Sequence, residues 1–138
     1  HVARALIEAK ASLEATLPSG HSLLMIAAQN GHEQVARALI EAKADLEKQT
    51  AKGSTALILA AQNGHEQVAR AMLEAKANLE VQNSDQVTAL NAACYAGHVE
   101  CAILLLCAGA HADTMDRFGD TPKSLAQQKG LEDVLALM

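Results

Sequence analysis

The string AAQNGHEQVARA occurs twice in this chain, at residues 27–38 and again at residues 60–71. The two copies start thirty-three residues apart, and no insertion or deletion separates them. Looser copies keep the same spacing, and the central glycine recurs at Gly31, Gly64, Gly97 and Gly130. A fixed period of this length indicates a stacked repeat architecture, in which each unit contacts only its neighbours.

The composition suits thin helical layers. Half of the residues are apolar, mostly alanine and leucine, and Tyr95 and Phe118 are the only aromatic residues. Small side chains let helices approach closely, so we expect stacked helices rather than a β-sandwich or barrel. The net charge is -5, and lysine and arginine do not form the stripe that nucleic-acid binding requires. We therefore expect no direct binding to nucleic acid.

The cysteines and the hydropathy indicate the cellular setting. The chain has three cysteines, and an odd number argues against a disulfide framework. We interpret them as reduced, mostly buried thiols of an intracellular protein, in the cytoplasm or the nucleus. No apolar run is long enough to cross a membrane, so no membrane insertion is expected. The chain starts at His1 in mid-repeat without a visible signal peptide, and we expect that upstream sequence is missing.

The repeat period divides the chain into one array. Residues 1–15 match the second half of a repeat, and residues 16–48, 49–81 and 82–114 each form a complete repeat. Residues 115–138 are the last unit of the array. Hydroxyl side chains at helix starts and glycines at helix ends predict two helices per repeat. The expected helices are 2–9, 22–29, 33–41, 55–62, 66–74, 88–95, 99–107, 122–128 and 131–137.

Several departures from the repeat carry information. Glu33, Arg37 and Glu41 lie four residues apart and are expected to pair along one helix face. The segment 101–107 is apolar nearly all round, which predicts burial on more than one side, either within a longer assembly or at a contact surface. Lys123 and Gln127 replace leucine and alanine of earlier repeats, which is typical of a C-terminal capping repeat.

The chain resembles the ankyrin repeat family along its whole length. The resemblance is carried by GSTALILAAQNGHEQVARAMLEAKA at 53–77, VTALNAACYAGHVECAILLLCAGA at 87–110 and FGDTPKSLAQQKG at 118–130. It implies an all-α, ankyrin-repeat solenoid of stacked helix-turn-helix units with short β-hairpin fingers. By the same resemblance, protein partners bind along the concave groove that the fingers and the first helices form.

Two departures from the family pattern affect local geometry. The frequent family histidine is absent, so its hydrogen bonds must be lost or replaced at Met25, Ile58, Asn91 and Ser124. Lysine stands where a glycine normally closes the second helix. If the backbone there is left-handed, each lysine costs about 1 kcal/mol relative to glycine. The lysines concerned are Lys10, Lys43 and Lys76.

Both aromatic residues fall on positions that face the groove in the family frame. Aromatic and arginine side chains commonly dominate interface energies, so we place the partner contact between the third repeat and the last unit. Alternatively, Phe118 tucks under its own finger and Tyr95 packs on the next repeat. The predicted partner-binding residues are Gln62, Asn63, Asp85, Val87, Tyr95, Met115, Arg117, Phe118 and Asp120.

No catalytic, metal or cofactor motif is recognisable. The histidines that follow the repeated glycine, at 32, 65 and 98, are interpreted as structural turn residues because they recur in register. Cys94, Cys101, His98 and His111 lack the paired-cysteine spacing of a zinc site. No phosphate-binding loop or nucleophile elbow is present, so the chain is not expected to be an enzyme or to need a cofactor.

Two functions remain open at this stage. One is a non-catalytic protein–protein interaction module. The other is a structural spacer or scaffold arm of a larger protein, which could self-associate through its open N-terminal face. Near-identity of the first two repeats favours the spacer, whereas divergence of the third repeat and the last unit favours the binding module.

Overall fold

The computed structural model describes residues 21–138. Eight helices occur in this part of the chain, in the order α1 (Leu23–Asn30), α2 (Glu33–Glu41), α3 (Ala56–Asn63), α4 (Glu66–Glu74), α5 (Ala89–Ala96), α6 (Val99–Cys107), α7 (Pro122–Lys129) and α8 (Glu132–Leu135). The helix expected at residues 2–9 and the open N-terminal face lie outside the described residues. The other boundaries agree with the prediction to within one residue, except that α8 is shorter than 131–137.

Local capping explains where the first helix of each repeat begins and ends. A hydroxyl side chain accepts a hydrogen bond from the amide three residues later, which satisfies one of the unpaired amides of the first turn. A glycine in the left-handed conformation ends each of these helices. The hydroxyl caps are Ser22, Thr55, Thr88 and Thr121, and the glycines are those identified from the repeat.

The second helices end differently. Lys43 and Lys76 have φ values of 68° and 66°, so the backbone there is left-handed, and Gly109 has a φ of 101° at the matching position. Gln86 is also left-handed, with a φ of 60°, where Gly53 and Gly119 stand in the neighbouring fingers. The condition of the lysine prediction is therefore met at Lys43 and Lys76, which adopt the left-handed backbone that glycine usually supplies. Lys10 lies outside the described residues.

The helices stack in two rows. The first helices α1, α3, α5 and α7 contact one another in that order, and the second helices α2, α4, α6 and α8 form the parallel row behind them. The core holds Met25, Leu39, Leu57, Met72 and Leu90, all almost fully buried. One alanine column repeats at each first helix and is buried throughout, which allows close helix approach; its members are Ala27, Ala60, Ala93 and Ala126.

The fingers are tight hairpin turns, and the described residues contain no β-strand. Each finger is closed by a hydrogen bond across five residues: the amides of Thr50, Asn83 and Asp116 donate to the carbonyls four positions later at 2.9, 3.1 and 2.8 Å. Neighbouring fingers are joined by one backbone bond per pair. In each finger a second bond runs back to the first residue of the turn: the amides of Gly53, Gln86 and Gly119 donate to the carbonyls of Thr50, Asn83 and Asp116 at 2.8, 2.8 and 3.2 Å. Two bonds close the turn without extending the pairing into a strand.

One side-chain expectation is wrong, and one stays a prediction. Arg37 pairs with Glu33 at 2.9 Å, but its second partner is Glu74 of the next repeat at 3.1 Å, not Glu41. Stacking brings Glu74 across from Arg37. Helix α6 is buried on one side only, because no described element covers its other face. Cys101, Ala102 and Leu105 are buried there, whereas Ile103, Leu104 and Leu106 are half-buried and Cys107 is exposed.

Candidate functional site

A cavity of about 420 Å³ lies on the finger side of the stack, between α3, α5 and the last two fingers. It brings together six of the nine residues predicted from the sequence, which are Gln62, Asp85, Val87, Tyr95, Phe118 and Asp120. The predicted binding residues did not include the four further lining residues, which are Asn83, Asn91, Ala92 and Asp116. We call the ten lining residues together the acidic groove.

Two aromatic rings border the acidic groove without being buried. Tyr95, on the last turn of α5, is 67% exposed, and Phe118, on the last finger, is 72% exposed. The alternative in which both rings pack into the protein requires buried rings and does not fit these values. Most of each ring is therefore free to contact another molecule.

Each ring already has a basic side chain of the same chain beside it. The Nζ atom of Lys129 lies 5.1 Å from the centre of the Tyr95 ring. The Cζ atom of Arg117 lies 5.6 Å from the centre of the Phe118 ring. These distances fall within the range of cation–π attraction.

Three aspartates line the acidic groove. Asp116 is 8% exposed, and its Oδ1 accepts hydrogen bonds from the amides of Phe118 and Asp120, both at 2.9 Å, which hold the finger in its turn. Asp85 pairs with Arg117 at 3.0 Å. Asp120 accepts a hydrogen bond from Gln128 at 3.0 Å. The groups that donate to Asp116 and Asp120 are neutral amides, so both carboxylates keep their negative charge.

Asn83 shows that the finger turn itself does not need a carboxylate. Its Oδ1 accepts from the amides of Asp85 and Val87 at 2.9 and 3.1 Å, just as Asp116 does one repeat later. Because Asn83 and Asp116 occupy the same position in the thirty-three-residue register, that register was the signal that could have identified both.

Asn91 replaces the family histidine in the third repeat. Its Nδ2 donates to the carbonyl of Thr114 at 3.2 Å, which ties α5 to the segment before the last finger. Its Oδ1 accepts from the hydroxyl of Thr88 at 2.6 Å, inside a capping box. Asn91 is almost completely buried beneath the acidic groove, and its polar side-chain atoms all have hydrogen-bond partners.

Three predicted site residues do not line the cavity. Arg117 lies outside it and reaches Asp85, and Met115, 59% exposed, offers its carbonyl to Gln82 at 3.4 Å. Asn63 is exposed, but its amide group donates to the carbonyl of Leu59 in its own helix at 2.9 Å. Arg117 therefore contacts two lining residues, Asp85 and Phe118, from outside the cavity, whereas the Asn63 side chain is bonded to its own helix α3.

The histidines after the repeated glycine connect successive repeats. The Nε2 atom of His65 donates to the carbonyl of Gln29 at 2.9 Å, and that of His98 donates to the carbonyl of Gln62 at 3.2 Å. A hydrogen bond to the end of the preceding first helix satisfies one of its unpaired carbonyls. These two histidines therefore have the structural role expected from their register.

Within residues 21–138 no group of histidine, cysteine or acidic residues could hold a metal ion. The three thiols are free, and two of them, Cys94 and Cys101, are buried, which fits the expectation of mostly buried thiols, whereas Cys107 is exposed. Burial raises the pKa of both Cys94 and Cys101 to about 11, and Glu66 and Glu100 add to the rise at Cys101. In the described part of the chain no helix is long and apolar enough to span a membrane.

Comparisons with known proteins agree with this architecture. A family model described as ankyrin repeats in three copies matches residues 1–83, and a model described as an ankyrin repeat matches residues 85–117. No curated protein matches the chain. Ankyrin repeats generally act as protein–protein interaction modules. Because the matched residues cover most of its length and the described part forms the corresponding stack of helix pairs, the chain belongs to the ankyrin repeat family.

Proposed function

We propose that this array is a non-catalytic protein-binding module whose partner protein contacts the acidic groove between the third repeat and the last unit. The observation that carries the proposal is the pair of exposed rings, Tyr95 and Phe118, that both line one cavity. Aromatic side chains bring a large contact area to an interface with few torsions to freeze, and they are enriched among residues that dominate binding energy.

The repeat register supports a binding role for these rings over a packing role. Gln29 and Gln62 occupy the position of Tyr95 in the two preceding repeats, and Lys52 and Asp85 occupy the position of Phe118. The same fold therefore forms with polar side chains at both positions. Aromatic residues that a fold can do without, and that remain exposed, are better explained by contact with a partner.

The spacer alternative rests on a different observation. The exposed first-helix residues Gln29 and Asn30 recur unchanged as Gln62 and Asn63, so the first two complete repeats present the same surface. A surface that has not diverged between copies is not adapted to one target. In that alternative the array separates or joins other parts of a larger protein, and the rings at 95 and 118 have no partner.

Affinity capture from a lysate of the native source, read out by mass spectrometry, distinguishes the binding module from the spacer. The informative variant combines Tyr95→Gln, which restores the residue of the earlier repeats, with Phe118→Ala. The matched control combines Gln29→Ala with Asn30→Ala on the same row of helices. We expect the aromatic variant to lose the main captured protein while the control keeps it, with both melting within a few degrees of the parent.

Survival of capture in the aromatic variant would contradict the groove as the binding site. Capture of nothing specific by the parent chain would favour the spacer. Collapse of melting in the aromatic variant would show that the rings stabilise the fold, and the case for a binding role would then fail.

A further inference from the structure

We infer that the acidic groove receives a basic side chain, arginine or lysine, from an extended segment of the partner protein. The inference rests on the proposed function, because it names the chemistry of the partner at that same site. It follows from the charge of the lining residues, from the contacts of the two rings and from the shape of the cavity.

The charge of the lining residues is specific to this groove. Asp85, Asp116 and Asp120 line it, and none of the ten lining residues is basic. One repeat earlier, the same three positions hold Lys52, Asn83 and Val87. Since a lysine, an amide and a valine are tolerated there, stacking and turn formation do not require the carboxylates.

Two of the three carboxylates keep an uncompensated charge. Asp85 is paired with Arg117, but in the described part of the chain neither Asp116 nor Asp120 forms an ion pair. Asp116 is also nearly buried, and a carboxylate that is shielded from water attracts a cation more strongly than one on an open surface. The groove therefore presents a local negative potential with room for a positive group.

The aromatic rings add a second feature that favours cations. Lys129 and Arg117 already lie within 6 Å of the ring centres of Tyr95 and Phe118, as cation–π contacts require. Both contacts involve exposed side chains of the same chain, so a partner's cation can exchange with them. A long basic side chain can place its methylene stem along a ring and its charged head near Asp116 and Asp120.

The size and shape of the groove limit the occupant. A volume of about 420 Å³ is at the lower end of the range for ligand pockets, which suits one long side chain with its adjoining backbone. The carboxylates would repel phosphate groups and acidic peptides. An extended basic peptide thus satisfies charge, aromatic contact and volume together.

Selection from a displayed library of random nine-residue peptides tests the inference on the 138-residue chain. Selected peptides are synthesised, and their dissociation constants are measured by fluorescence anisotropy at low and physiological salt. In each peptide the basic residue is replaced by citrulline or glutamine. On the protein side, Asp116→Asn with Asp120→Asn removes the two uncompensated charges while keeping the carbonyl oxygens that accept hydrogen bonds.

The matched control removes the same charge elsewhere, by Glu41→Gln with Asp113→Asn, at exposed acids outside the groove. Melting is measured for every variant, and Asp120→Asn alone serves if the double change unfolds the last finger. We expect enriched peptides to contain arginine or lysine, and affinity to fall at least about tenfold when the peptide charge or the two groove charges are removed. Binding should weaken with salt, and the control should bind like the parent.

Several results would overturn the inference. These are enrichment of apolar or acidic peptides, enrichment of none, full affinity of the neutral peptide, or equal weakening in the control. If the Tyr95→Gln and Phe118→Ala variant still loses the captured protein in those cases, the proposed function stands and only the basic character of the partner is wrong.

Discussion

Replacing Gly64 with alanine tests how the repeats are joined at the glycine–histidine turn. Gly64 has a φ of 75°, and a Cβ atom built on it would lie 2.7 Å from Nδ1 and 2.8 Å from Cε1 of His98 in the next repeat. Real Cβ atoms do not approach other atoms this closely, so the imidazole must move. Moving it removes the hydrogen bond from His98 to the carbonyl of Gln62.

Comparison with Gly97 separates the loss of unfolding free energy into a backbone contribution and a contribution from the contact with His98. Gly97 has nearly the same φ, 78°, but a Cβ atom there would meet nothing within 4 Å, because Leu131 stands where the next histidine would be. Gly97→Ala should cost only the left-handed backbone term, about 1 kcal/mol. Gly64→Ala adds a lost hydrogen bond of about 1 kcal/mol and crowding of about 1 to 3 kcal/mol to this backbone cost, so we expect roughly 3 to 5 kcal/mol in total.

Urea unfolding followed by circular dichroism measures both free energies of unfolding. A double-mutant cycle then isolates the contact, because Gly64→Ala made in a His98→Ala background should cost no more than Gly97→Ala does in the parent chain. Equal costs for Gly64→Ala and Gly97→Ala, or an unchanged penalty after removal of the imidazole, would refute the reasoning.

Two further predictions concern the second helix of the repeats and the thiols. Lys76→Gly should raise the free energy of unfolding by about 0.5 to 1 kcal/mol, because glycine relieves the strain of the left-handed backbone although it loses more entropy on folding. Urea titration measures the change, with Lys52→Gly as the control. A destabilised Lys76→Gly chain would contradict the prediction. In the native chain at pH 8, iodoacetamide should label Cys107 first, because Cys107 is exposed and burial raises the pKa of Cys94 and Cys101 to about 11. Mass spectrometry locates the label, and early labelling of Cys94 would disprove the burial argument. A reductant or chelator should leave the melting temperature unchanged.

Much of the fold could be predicted from the sequence because helix boundaries here are set by neighbours along the chain. Ser22 and Gly31 bracket α1 through hydrogen bonds to residues at most four positions away, and the thirty-three-residue register repeats that arrangement. The left-handed backbone at Lys76 was expected only conditionally, from the glycine that the family pattern has at that position. The exact length of α8 was not predicted, since no side-chain cap or glycine marks its ends.

The candidate site was predictable only in part. The family resemblance predicted that Tyr95 and Phe118 face the groove, but the prediction included Asn63, whose amide is satisfied within its own helix, and omitted Asn91 and Asp116. Sequence spacing gives the side of a repeat on which a residue lies. It does not give the direction of a long side chain or the depth of a residue between two repeats.

The sequence by itself determined the family, the period, the helix caps and the absence of a recognisable catalytic motif, because each depends on residue type at short range or on exact recurrence. Only the tertiary structure decided that Arg37 pairs with Glu74 rather than Glu41, that no described element covers one face of α6, and that three aspartates converge beside two exposed rings. Those features arise between repeats. Contacts of that kind depend on how far one repeat is shifted and rotated against the next, and it is the packing of the whole stack that sets this offset.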